Sequence, residues 1–307
     1  MWCPVYKEIQ TKTALNKLKR KIPYGWDLNL YRGCAHGCRY CYALYSHQYV
    51  SEKGPSAFYT DIYAKTNIVD ILERELKAPG WQRDVINIGG VTDSYQPLEK
   101  ELKLMPAVLK LLIKYKTPAI ISTKSDLVLR DFDLIEELSR LTYVNVAATI
   151  TTVNEDLRKV LEPCSAPSSA RLAMLKEFDK TNASTGLHLM PIIPLLTDSE
   201  DNLDLLMSAA ADSNVDYLLP GVLYLRGLTR KVFMQFIADH FPELSEPYQQ
   251  LYVKGGANRE YKEQLYQMVN RLRDDHGLEK SYMKPMREKM HQAEMKQLNL
   301  EEVLNHE

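Results

Sequence analysis

The chain has 307 residues, 45 % of them hydrophobic, and a formal net charge of −1. That length and apolar share support a large α/β domain, alone or with an appendage, and the balanced charge carries no global signature of nucleic-acid or membrane-surface binding. No apolar run is long enough to span a bilayer, and the N-terminus reads as neither a secretory signal nor a membrane segment; five cysteines, an odd number with three crowded together, argue against a disulfide framework and for a reducing cytoplasm.

Charge is uneven at the start. Residues 1–60 hold nine Lys/Arg (Lys7, Lys12, Lys17, Lys19, Arg20, Lys21, Arg32, Arg39 and Lys53) against Glu8, Asp27 and Glu52. Residues 1–24 therefore read as a basic arm, either solvated or contacting phosphate. A core domain is expected over 25–225. Its first strand is predicted at 28–31, ending in the cysteine-rich loop. A helix follows at 67–76, from the 3.6-residue spacing of Ile68, Ile71, Leu72 and Leu76. A strand at 85–88 stops at Gly89-Gly90. Next come a helix at 100–115, a strand at 119–122, a helix at 131–141 and a strand at 144–150. Helical patterns cover 154–161 and 168–180. A strand at 187–193 is ended by Pro194, and a helix spans 201–212. Segments 216–219 and 222–225 are β-rich, interrupted by Pro220-Gly221. From 226 to 307 the pattern is mostly helical, with thirteen basic and thirteen acidic residues.

Alternating strands and helices predict a parallel sheet with helices outside. About six strands are too few for a closed (β/α)8 barrel, so the expected fold is a partial TIM-like barrel with a helical C-terminal extension. Chemistry in such folds gathers at the C-terminal strand ends. That places the cysteine loop, Gly89-Gly90 and Thr123-Lys124 on one face.

Residues 31–43 read Tyr-Arg-Gly-Cys-Ala-His-Gly-Cys-Arg-Tyr-Cys-Tyr-Ala, so Cys34, Cys38 and Cys41 have C-x3-C-x2-C spacing. Thiolates on one compact loop suit an iron–sulfur cluster. Three cysteines leave one iron of a cubane without a thiolate, open to a small chelating molecule. Gly33 and Gly37 allow the loop to wrap tightly. The competing reading is structural zinc with His36 or His47 as fourth ligand, although His36 lies awkwardly between two cysteines.

The cysteine spacing, with Tyr40 just before the last cysteine, resembles the radical S-adenosylmethionine (SAM) superfamily over roughly residues 25–225. The resemblance implies a (β/α)6 partial barrel and a [4Fe–4S] cluster whose free iron binds the methionyl amine and carboxylate of SAM. It also implies an external electron donor of flavodoxin or ferredoxin type, and reductive cleavage of SAM to a 5′-deoxyadenosyl radical. Further segments resemble the spore photoproduct lyase group, often labelled DNA repair photolyases. Tyr40 and Tyr42 flank the third cysteine and imply a radical relay. Gly89, Gly90 and Asp93 fall where the superfamily holds the methionyl group. Thr123-Lys124 resembles a Thr-Lys pair whose lysine contacts SAM, and Thr149 stands where the lyase has a serine. Glu162-Pro163, Pro167 and Arg171 resemble a Glu-Pro…Pro…Arg signature, with Arg171 neutralising a carboxylate, by way of Glu162 or directly. Residues 190–194, Met-Pro-Ile-Ile-Pro, resemble an apolar segment near the adenine. One departure stands out: where the lyase has a hydrogen-donating cysteine before its Ser-Asp pair, this chain has Val91. Cys164 is a conceivable substitute, and Cys3 reads as a bystander.

Three functions follow for comparison. The first is hydrogen abstraction from DNA or another nucleic acid, with Tyr24, Trp26 and Tyr95 as candidate stacking residues. The second is radical chemistry on a peptide or small metabolite. The third is a non-catalytic metal-binding module.

Overall fold

The computed structural model describes residues 4–19, 24–47 and 53–290. Arg20, Lys21, Glu52 and Cys3 lie outside the described residues. Ten strands form two sheets. The larger runs β10-β9-β8-β7-β6-β3-β2, and the smaller β1-β5-β4. In chain order they are β1 Val5–Ile9, β2 Leu15–Lys17, β3 Trp26–Leu28, β4 Tyr31–Arg32, β5 Asp61–Lys65, β6 Ile86–Ile88, β7 Ala119–Thr123, β8 Val144–Thr149, β9 Ser184–Ile192 and β10 Tyr217–Val222.

Strands β3, β6, β7, β8, β9 and β10 pair in parallel throughout, giving the six-stranded partial barrel. Strand β2 closes the other edge antiparallel to β3. Every residue of β6 and β8 is buried, as expected of strands covered by helices on one face and lining a filled interior on the other. The helices that cover them read as amphipathic because their apolar residues recur every three or four positions. Ile68, Leu72 and Leu76, Val108, Leu109 and Leu112, and Ile135 and Leu138 all join one continuous core.

Several boundaries differ from the sequence reading. The first barrel strand is Trp26–Leu28 rather than 28–31. Tyr31 and Arg32 leave the barrel and pair antiparallel with Ala64 and Tyr63 of the small sheet. The expected helix over 100–115 breaks at Lys103, whose φ is +51°. Pro220-Gly221 does not interrupt the last strand; β10 runs through it with a register shift between Pro220 and Val222. Beyond Val222, Tyr224 makes only a single bridge, to Gly256.

The segments read as a basic arm contribute strands to both sheets: Val5–Ile9 runs parallel to Asp61–Lys65. The C-terminal stretch is helical over Gly227–His240, Ser245–Leu251 and Arg259–Asp275, and again over 283–290. The Arg259–Asp275 helix buries Leu265, Val269 and Leu272 in the main core. Met286 packs with Val85, Ile120 and Tyr143 at the N-terminal end of the barrel.

Candidate functional site

The cysteine loop leaves the small sheet at Arg32 and is fixed from several directions. Gly33 has φ +81°, and a Cβ there would lie 2.8 Å from the Phe58 carbonyl oxygen, so only glycine fits. The Cys34 amide donates to that same carbonyl at 2.9 Å. The Gln96 side chain accepts from the Ala35 amide at 3.0 Å and donates to the Gly33 carbonyl at 3.2 Å. Tyr59 and Thr229 donate to the carbonyls of Cys38 and Cys41 at 2.8 and 3.0 Å. Gln96, Tyr59 and Thr229 carry no local motif and are not legible as loop supports in the sequence.

Cys34, Cys38 and Cys41 all line a cavity of about 590 Å³, together with Tyr40, Tyr42, Gly89, Gly90, Asp93, Lys124 and Thr149. Ten of the eleven residues predicted for the site therefore meet around one space, at the C-terminal ends of β6, β7 and β8. A cavity of this size suits a small-molecule ligand. Burial pushes all three thiols up, Cys34 to about 12, reinforced by the negative charge of Asp93. Cys38 also feels Cys34 and Cys41. Two buried thiols and the partly buried Cys41, which resist ionisation alone, are the donors a cationic cluster would satisfy by replacing their protons. Among the described residues no three His, Cys, Asp or Glu side chains gather tightly enough for a single ion; the three thiols instead line the cavity wall.

Asp93 ties the loops together. Its carboxylate accepts from Thr123 Oγ1 at 2.9 and 3.1 Å, the Lys124 amide at 2.8 Å and the Tyr95 amide at 2.8 Å. It also meets His36 Nε2 at 3.1 Å. Burial alone would raise its pKa, but His36 and the amide donors bring it down to about 2. His36 Nδ1 contacts the Cys164 carbonyl at 3.0 Å. Both ring nitrogens of His36 are thus engaged, which does not fit a fourth zinc ligand, and His47 is not among the residues lining the cavity. The loop after β6 depends on Gly89, with φ +93° and the Ser122 carbonyl 2.9 Å from where a Cβ would stand.

Lys124 reaches the cavity as a cation. Burial opposes its charge, yet Cys38 and Glu162 hold its pKa above the ordinary lysine value. Its ammonium lies 5.8 Å from the centre of the Tyr40 ring, within reach of a cation–π contact. Tyr40 donates to Glu162, and Tyr42 to the Gly90 carbonyl. Arg171 is the one predicted site residue that does not line the cavity. It is fully buried and pairs with Glu162 at 2.6 Å. It also donates to the Thr149 carbonyl at 2.5 Å. It sits behind the cavity, holding Glu162 and the end of β8 in place, the link by way of Glu162 that the sequence suggests. Glu162 in turn stays ionised against burial because Arg171 and Lys124 face it.

Other candidates sort clearly. Val91 lines the cavity. Cys164 is exposed and does not, so the cavity holds no thiol beyond the loop's three among the described residues. Of the three suggested stacking residues, only Tyr24 reaches the cavity. Tyr95 is buried with its hydroxyl on Asp131 at 3.1 Å. Trp26 packs on Trp81 and donates to Asp84 at 3.0 Å. His188, Met190, Tyr217, Tyr224 and Tyr282 also line the cavity, and of these only Met190 fell within a segment singled out in the sequence.

A six-stranded parallel barrel with a three-thiol loop opening into it defines a class of enzyme. The chain belongs to the radical SAM superfamily, whose family model matches residues 28–206. It is similar to an uncharacterised protein of Mycobacterium tuberculosis (strain ATCC 25618 / H37Rv), 34 % identical over 81 % of this chain and 74 % of the relative. It is also similar to one of Methanocaldococcus jannaschii, 30 % identical over 62 % of this chain and 73 % of the relative. Among solved structures it resembles spore photoproduct lyase complexed with dinucleoside spore photoproduct, with a TM-score of 0.65, 12 % identity, and 88 % of this chain and 79 % of that one covered. A mutant of that lyase with bound AdoMet and the same dinucleoside matches with TM-score 0.65 and 13 % identity. These likenesses establish the fold. The protein is a radical SAM enzyme, and no helix among the described residues is long and apolar enough to cross a membrane.

Proposed function

We propose that the protein cleaves SAM at a [4Fe–4S] cluster and abstracts hydrogen from a nucleic acid. The carrying observation is the meeting of Cys34, Cys38 and Cys41 with Gly89, Gly90, Asp93, Lys124 and Thr149 around one cavity. When bound, the cluster supplies the electron that breaks the sulfonium bond, delivered by a flavodoxin- or ferredoxin-like donor. The chain's own residues hold and orient. Cys34, Cys38 and Cys41 would hold the cluster through their thiolates. Asp93 fixes the cysteine loop against β7, so that Gly89 and Gly90 let the methionyl group lie close to backbone. Lys124 offers a cation to a carboxylate, and Tyr40 and Tyr42 border the reacting region.

Nucleic acid as substrate is supported by the dinucleoside held by spore photoproduct lyase, and by a second feature here. Tyr224 lines the main cavity and also an adjoining open cleft with Arg226, Arg230 and Lys254. None of these three cations takes an acidic partner among the described residues. By contrast Lys7, in the N-terminal arm, and Lys53 both face Asp61, at 3.7 and 3.1 Å. A cationic ledge beside an exposed tyrosine at the cavity mouth suits a phosphodiester backbone and a stacked base. With Val91 in place of the lyase's cysteine, repair of spore photoproduct by the lyase's route is not expected.

The test is 5′-deoxyadenosine formation by anaerobically reconstituted, dithionite-reduced protein, with single-stranded DNA, RNA, a peptide mixture or no addition. Stimulation by a nucleic acid, with binding that falls steeply as salt rises, is the expected result. Stimulation by peptide alone, with no nucleic-acid binding at any salt, overturns the substrate assignment and leaves the enzyme class standing.

A further inference from the structure

The cavity continues past the strand ends into the barrel, and its floor is polar where such interiors are normally filled by apolar side chains. His188 lies mid-strand on β9 and is 8 % exposed. Its Nε2 is 2.9 Å from the Tyr217 hydroxyl. That hydroxyl donates to Asn145 Oδ1 at 3.0 Å. Asn145 sits on β8 and Tyr217 on β10, so three adjacent strands contribute one group each.

The proton positions follow from the network. The Asn145 amide nitrogen donates to the Ser184 carbonyl at 3.2 Å and to its hydroxyl at 2.8 Å. The amide oxygen must then face Tyr217. A phenol carries one proton, and Tyr217 gives it to that oxygen. His188 Nε2 must therefore be the donor to Tyr217, which leaves Nδ1 a bare acceptor. Burial, with the nearby Lys124 cation, lowers the His188 pKa to about 4, so the ring is neutral at physiological pH. The arrangement is built: a Cβ on Gly186 would meet the Tyr217 ring at 2.1 Å, so glycine there is what lets the ring cross β9. Around this acceptor the cavity presents aromatic rings set at an angle, Tyr217 and Tyr282 being tilted 59° to one another. The Tyr217 ring centre is 5.7 Å from that of Tyr282 and 5.8 Å from His188. Ile120 and Leu219 also line it.

We propose that His188 is a substrate-recognition residue whose Nδ1 accepts a hydrogen bond from a ring N–H of a flat heterocycle packed against the angled Tyr217 and Tyr282 rings. This rests on the reading of the site as acting on nucleic acid, and it narrows the base recognised. A single buried acceptor satisfies a ring N–H completely. An exocyclic amino group would leave its second proton unpaired, which is costly. Thymine, uracil and guanine carry a ring N–H on the Watson–Crick edge at neutral pH, whereas adenine and cytosine do not.

The test is calorimetric binding of the tetranucleotides dT4, dA4 and N3-methyl-dT4 to the reconstituted holoprotein, with SAM binding measured in parallel. Wild type is expected to bind dT4 about tenfold more tightly than dA4 or N3-methyl-dT4, the size of one buried hydrogen bond. In His188→Ala that preference disappears while SAM affinity holds within about twofold. His188→Asn, which can still present an acceptor, recovers part of it, and Tyr217→Phe, which frees Nε2 from its partner, weakens it. Wild-type binding of dT4 without preference, or a preference that survives His188→Ala, overturns this proposal alone. Loss of SAM affinity in His188→Ala together with oligonucleotide affinity assigns His188 to the SAM site and likewise overturns it. No binding of any tetranucleotide by wild type overturns the nucleic-acid reading and this proposal with it.

Discussion

The two ends of the cavity are built differently. At the mouth, three thiols, Asp93 and Lys124 crowd charge and soft donors onto loops at the strand ends, backed by the buried Glu162–Arg171 pair behind the cavity wall. At the floor, His188, Tyr217 and Asn145 make a neutral network on the strands themselves. The mouth is arranged to hold something charged and reactive. The floor is arranged to read shape and a hydrogen bond. In this barrel reactivity and recognition are therefore expected to be separable, each open to perturbation alone.

The largest expected effect is at the mouth. Replacing Cys34, Cys38 or Cys41 by Ala should lower cluster iron and bring 5′-deoxyadenosine formation to background, checked by iron and sulfide analysis and product chromatography. A cluster that survives in any of the three variants would break the proposed ligand set.

Glu162→Ala comes next. It leaves Arg171 fully buried without its carboxylate, and removing one partner of such a pair costs about 3–5 kcal/mol. Urea unfolding should show the loss, with SAM affinity falling as the end of β8 relaxes. Glu162→Gln, which keeps the hydrogen bonds and the shape, should lose less.

Asp93 gives a pH signature. Its folded-state pKa is near 2, below the ordinary value of 3.8. A depressed carboxylate contributes stability that is complete above its unfolded pKa and is lost as pH falls toward the folded one. Asp93 should therefore contribute about 2 kcal/mol above pH ~4, lost between pH ~4 and ~2. Asp93→Asn should flatten that part of the acid-unfolding profile. An unchanged profile would show that the carboxylate does not carry the latch.

At the floor, Gly186→Ala sharpens the contrast. The added methyl displaces the Tyr217 ring at a cost of about 1–3 kcal/mol. It should weaken oligonucleotide binding while cluster content stays at wild-type levels. The smallest effect is expected outside the cavity. Replacing Arg226, Arg230 and Lys254 together by Gln should reduce the salt slope of single-stranded DNA binding by about 2, measured by titration across salt concentrations.

What was legible in the sequence was what is local. Cys34, Cys38 and Cys41 fall within eight residues, so their spacing declares the loop. Helices such as Ile68–Leu76 and Phe132–Leu141 announce themselves by period. The six barrel strands were countable because buried parallel strands read as apolar runs. The small sheet was not legible: Val5–Ile9 is mostly exposed, and its partner strand lies more than fifty residues away. Type and spacing do not reveal burial, so the sequence does not show that Arg171 and Tyr95 each sit in a buried hydrogen-bond network. His188, Asn145 and Tyr217 come from three strands spread over more than seventy residues, and only the fold brings them together.

The central claim is that the three-thiol loop holds a cluster with an open iron that SAM approaches within this cavity. The most direct measurement is electron paramagnetic resonance of the reduced, reconstituted protein before and after addition of SAM. The expected result is a reduced-cluster signal that changes on adding SAM and is absent in the Cys38→Ala variant. A well-reconstituted cluster whose signal is indifferent to SAM would contradict it.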